Sequence, residues 1–114
     1  MPTLSQQTAI NAAVDAIRNA EDVLTDQIRS STDALTAIKL TNEYNNLDSY
    51  LSELLHAQNA ADDATFANAT AALQSRLSGL EADEKAIQAI IADVATASKV
   101  IGYIADAVQL IAKL

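Results

Sequence analysis

The sequence predicts an all-helical fold, and three observations carry that prediction. Breakers of regular structure are nearly missing, with two glycines and one proline in 114 residues. Alanine, the strongest helix former, occurs 24 times. Apolar residues recur at alternating spacings of four and three, which aligns them along one helical face. The aromatic and β-branched clusters that mark strands are absent.

The first helical stripe is Ile10, Val14, Ile17, Leu24, Ile28, Leu35 and Ile38, with Glu21 and Ser31 filling its gaps. The stripe then slips, and Leu40, Tyr44, Leu47, Leu51 and Leu54 continue it in a new phase. Beyond the midpoint, Phe66, Leu73, Leu77, Leu80, Ile87, Ile91, Val94, Ile101 and Val108 share one heptad row, completed by Thr70, Glu84, Ser98 and Ala105. Positions flanking these rows hold small residues, Ala13, Ala20, Ala34, Ala67, Ala69, Ala95, Ala97 and Gly102, and then Ile90, Ile104 and Ile111. Small residues let helix axes approach closely, and a widened apolar face requires more than one neighbour. A bundle satisfies both conditions better than an isolated two-stranded coiled coil.

Asn59-Ala60-Ala61-Asp62-Asp63 marks a turn near 58–63. Softer break signals lie near 30–33, at Ser30-Ser31-Thr32-Asp33, and near 78–80, where Ser78-Gly79-Leu80-Glu81 reads as a capping box. Two architectures are therefore open for the single helical domain 1–114. One is an antiparallel hairpin of two helices of about 50 residues, each roughly 75 Å long, that pairs with a second copy or another helical protein. The other is a self-contained four-helix bundle using both softer breaks. The register of the rows across those breaks favours the hairpin.

Composition narrows the function classes. With seven basic against fifteen acidic residues, the net charge of −8 repels nucleic acid. No cysteine is present, which removes disulfide scaffolds, thiolate metal sites and cysteine nucleophiles. The opening Met1-Pro2-Thr3-Leu4-Ser5-Gln6-Gln7 has neither a basic nor an apolar signal region, so a cytoplasmic protein is the default expectation, with signal-less export left open. Residues 1–63 hold ten acids against Arg18, Arg29 and Lys39, which reads as a solvated acidic surface.

Glu53-Leu54-Leu55-His56 matches the Glu-x-x-His pair of di-iron bundles, but His56 is the sole histidine, so such a centre would need a homodimer and added ligands such as Glu21 or Glu84. The bland alternative makes Glu53 and His56 flank residues. No cofactor or metal is expected. Glu21, Asn42, Asn45, Glu84 and Ser98 lie on or near the seam rows and are read as devices that fix register. The Asn68-Ala69-Thr70 sequon reads as a chance match on a helix, and Tyr44, Tyr50 and Tyr103 are too scattered to form a stacking platform.

The apolar segment 86–114 is the most informative. Its longest uncharged run is seven residues, too short for a spanning helix. Ile87, Ile91, Val94, Ile101, Ile104, Val108 and Ile111 are the candidate interaction residues. With no catalytic motif in view, the sequence reads as a non-enzymatic assembly protein that self-associates or docks on a larger complex through apolar helix faces. The alternatives are a membrane- or lipid-associated helical protein acting through 86–114, akin to a pore-former subunit, and the dimeric di-iron bundle.

Overall fold

A computed structural model describes residues 2–114. Five helices follow one another, α1 (Leu4–Ser30), α2 (Ala34–Gln58), α3 (Asp63–Ser75), α4 (Leu77–Ile90) and α5 (Val94–Ala112), with no strand among the described residues. Helices α3 and α4 are parted only at Arg76, whose N–H bonds the Leu73 carbonyl at 3.1 Å and whose own carbonyl accepts from Gly79 at 3.0 Å. Together they form the third leg of a four-legged bundle. The legs make a closed ring, since α1 packs on α2 and α5, and α3–α4 also packs on α2 and α5, while the diagonal pairs stay apart. The molecule measures 47 × 21 × 20 Å.

The structure therefore takes the self-contained bundle rather than the long hairpin. The anticipated breaks near 30–33 and 58–63 are both present. The break expected near 78–80 falls at Arg76 instead, and Ser78 and Gly79 lie inside α4; a further break at residues 91–93 was not anticipated.

What ends the hydrophobic rows is local hydrogen bonding. Asp33 accepts from the Thr36 N–H at 3.1 Å and from its hydroxyl at 2.6 Å. Asp62 repeats the arrangement with Thr65, at 2.7 and 2.9 Å. At Asp93 the carboxylate takes the Thr96 hydroxyl. Asp33 and Asp62 thereby satisfy helix starts whose first N–H groups have no intrahelical partner, whereas at Asp93 only the hydroxyl is held. Thr3 and Gln6 form a reciprocal capping box on α1. The cap residues Thr3, Asp33, Asp62 and Asp93 recur at near-equal intervals, so the chain is built from four legs of similar length.

A new helix need not keep the phase of the old one. Ile10, Val14, Ile17 and Leu24 are buried in α1, and α2 turns Leu40, Leu47, Leu51 and Leu54 inward. Leu35 and Ile38, which extend the first row past the break, are each 58 % exposed. Past the 91–93 break, α5 buries Ala97, Val100, Ile104, Ala107 and Ile111, while Val94 on the old row is 77 % exposed. Alanines at 13, 16 and 20 of α1 and at 97 and 107 of α5 are buried, which suits the extensive packing between those two helices.

Two predictions follow from this packing. Leu24→Ala should cost about 2–5 kcal/mol in chemical denaturation, whereas Ile38→Ala, on the same row, should cost less than about 1 kcal/mol. Asp33→Ala should lower the thermal midpoint by a few degrees at neutral pH, and the loss should vanish in strong acid. Bonds from Thr36 hold the Asp33 carboxyl below its ordinary value of 3.8, so its contribution is present above that value and fades as pH falls through the lowered one.

Candidate functional site

The residues named as interaction candidates separate by burial. Ile87, Ile91, Ile104 and Ile111 lie in the bundle's own core, Ile101 and Val108 are half-buried, and Val94 is exposed. They do not form one surface, because the row of Ile87, Ile91, Val94, Ile101 and Val108 is cut between α4 and α5, and the flanking Ile104 and Ile111 turn into the core. By length and composition Val94–Ala112 is long and apolar enough to cross a membrane, with 19 residues and a mean hydropathy of 1.3, although Lys99 and Asp106 interrupt it. That differs from the expectation drawn from the short uncharged runs. Its inner face packs in the core through Val100, Ile104, Ala107 and Ile111.

Polar residues on the rows also separate. Asn42, Asn45 and Ser98 are exposed, Glu84 is half-buried and Glu21 is 5 % exposed. Glu21 faces Asp48 across the α1–α2 contact, within hydrogen-bonding reach. Its Oε2 is buried and meets no donor. Burial first, and then Asp48, push the Glu21 carboxyl up to about 7. A second pair lies on the opposite flank of α2, where Glu43 meets Asp83 of α4. Burial and the Asp83 carboxyl push Glu43 up to about 7, and its Oε2 is likewise buried without a donor. Asn46 donates to Asp83 Oδ1 at 3.4 Å. Neither Glu43 nor Asp83 lies on a seam row, so row reading does not single them out.

Glu53 is engaged elsewhere. Its Oε1 pairs with Arg76 Nη1 at 2.6 Å, and the Arg76 guanidinium sits over the Tyr50 ring at 5.2 Å. The Tyr50 hydroxyl donates to the Leu73 carbonyl, and burial pushes its phenol up to about 12. These three contacts bind α2 to the interruption between α3 and α4. His56 is exposed, and among the described residues no three His, Cys, Asp or Glu side chains gather as a metal set.

The outward face of α2 has a different character. Relative to the buried Leu40, the helical repeat of 3.6 residues turns Leu35, Ile38, Asn42, Asn45 and Ser49 to the far side. All five are exposed and none carries a formal charge. This strip therefore offers apolar and hydrogen-bonding groups without the negative charge that dominates the molecule as a whole.

Compared with known proteins, the chain matches no family model, no curated protein and no solved structure.

Tyr50→Phe should cost about 1–2 kcal/mol in urea denaturation, because it removes a buried donor and leaves the Leu73 carbonyl short of one bond. An unchanged midpoint would mean that the hydroxyl contact contributes nothing net.

Proposed function

We propose that the protein is a non-enzymatic helical assembly module that associates with a second copy of itself through the outward face of α2. The observation that carries this reading is the exposure of Leu35 and Ile38, each 58 %, at the head of a strip without charge on a chain of net charge −8. Two copies of so acidic a chain repel one another overall, and this strip adds no charge to that repulsion. Asn42, Asn45 and Ser49 continue it and supply donors and acceptors for a second helix. Compared with the sequence-based expectation, the contact moves from α5 to α2, since Ile104 and Ile111 of α5 and Ile87 and Ile91 before it lie in the bundle's own core.

The test is Leu35→Glu with Ile38→Glu, followed by sedimentation equilibrium across a wide concentration range. The wild type is expected to show a concentration-dependent dimer, and the double variant should raise its dissociation constant by tenfold or more, given about 1.5–3 kcal/mol for each buried aliphatic side chain. A wild type that stays monomeric at every concentration would overturn the reading.

A membrane-associated role is a second reading, supported by the length and apolar character of Val94–Ala112. In that case the chain should co-sediment with neutral or anionic vesicles, and Ile101→Asp with Val108→Asp on the half-buried side of α5 should abolish the binding.

A further inference from the structure

On each flank α2 sets one of its carboxyl groups against a carboxyl group of a neighbouring helix. On one side Glu21 of α1 faces Asp48, and on the other Glu43 faces Asp83 of α4. Ionised carboxylates have acceptor oxygens alone, so two of them at hydrogen-bonding distance repel unless a proton supplies the missing donor. Glu21 is the stronger case, being 5 % exposed with an Oε2 that no protein donor reaches. At the second pair Asn46 donates to Asp83 at 3.4 Å, while Glu43 Oε2 is left without a donor. Besides Asp48, the charged groups acting on Glu21 are Asp22 and Arg18 of its own helix; Tyr44 lies near it on α2, and no charged group of α5 acts on it. At the second pair Asn46 and Arg76 act on Asp83, Asn46 acts on Glu43, and no charged group of α1 or α3 acts on either.

We propose that these two pairs form a proton-operated latch on α2: each closes when one proton is shared between its carboxyls, and losing that proton loosens α2 from α1 on one side and from α4 on the other. In the step itself the O–H bond of the glutamic acid breaks, the proton leaves to solvent, and each pair passes from one negative charge to two. Nothing is oxidised or reduced, and no co-reactant is needed. The two joints act on the same helix from opposite sides, so their release adds up on α2. Acid closes the latch, the reverse of a device that would free α5 for insertion at low pH. The latch operates whether or not the chain self-associates.

The sign of the pH dependence follows from the raised titration of both glutamates. The folded chain keeps protons that the unfolded chain sheds above the ordinary value of 4.5, so the latch's contribution is whole below that value and is lost as pH climbs from there through about 7. The decisive measurement is a carbon-13 carboxyl NMR titration of the wild-type protein, run alongside amide hydrogen exchange at about pH 5.5 and about pH 8.5. Glu21 and Glu43 should titrate well above the exposed glutamates. Amides of α2 should lose at least tenfold in protection at the higher pH, after correction for intrinsic exchange. In a Glu21→Gln, Glu43→Gln variant, whose amides donate at any pH, the thermal midpoint should change little between the two conditions, while that of the wild type falls. Three results would each overturn the latch: glutamates titrating with the exposed ones, α2 protection unchanged, or a variant with the wild-type pH slope. If the variant does not fold, the wild-type titration and exchange decide the matter alone.

Discussion

An aspartate carboxylate bonded to the threonine three residues further on is the constraint from which the architecture follows. At Asp33, Asp62 and Asp93 this contact begins a new helix and frees it from the rotational phase of the one before. Each leg can then turn its own stripe inward. None of these starts needs a left-handed residue, and no described residue has a positive φ. Short polar caps thus suffice to fold a rod-like pattern back on itself, and the core of Leu24, Leu47, Leu73, Ile104 and their neighbours closes without a partner.

Helical class and the two joints near the first third and the midpoint were legible in the sequence, because they rest on composition and on Asp, Ser and Asn at the right places. What misled was continuity of register. A heptad row can cross a break by coincidence, since a new helix has few allowed phases and apolar residues are abundant. Leu35, Ile38 and Val94 show the consequence, as each prolongs a row past a cap and ends in solvent. The slip after Ile38 to the Leu40 phase was the visible sign of the first break. The matching sign of the last break was the Asp-x-x-Thr spacing at Asp93, shared with Asp33 and Asp62. Of the candidate site, Glu21 stood out because it interrupts a row. Glu43 and Asp83 did not, since their proximity depends on how α4 is rotated against α2, a tertiary quantity that spacing along one chain does not contain.

Electrostatics divides the surface of α2 into zones of opposite character. Its flanks hold acids pressed against acids, and its back presents amides, hydroxyls and aliphatic groups without charge. One helix therefore carries both proposals, the carboxyl pairs on its flanks and the uncharged strip along its back. Helix α5 differs: one face of it, through Ala97, Val100, Ile104, Ala107 and Ile111, fills the bundle beside α1 and α4.

The joint built around Tyr50 has an optical consequence. The chain contains no tryptophan and three tyrosines, of which Tyr50 alone is fully buried, ring under a guanidinium and hydroxyl on a backbone carbonyl. Near-ultraviolet dichroism arises from aromatic rings in fixed asymmetric surroundings, so this ring is placed to supply the main signal of the native state. The union of the second leg with the kinked third can then be followed in an unlabelled sample, with Tyr50→Phe separating its share of the phenol signal from those of Tyr44 and Tyr103.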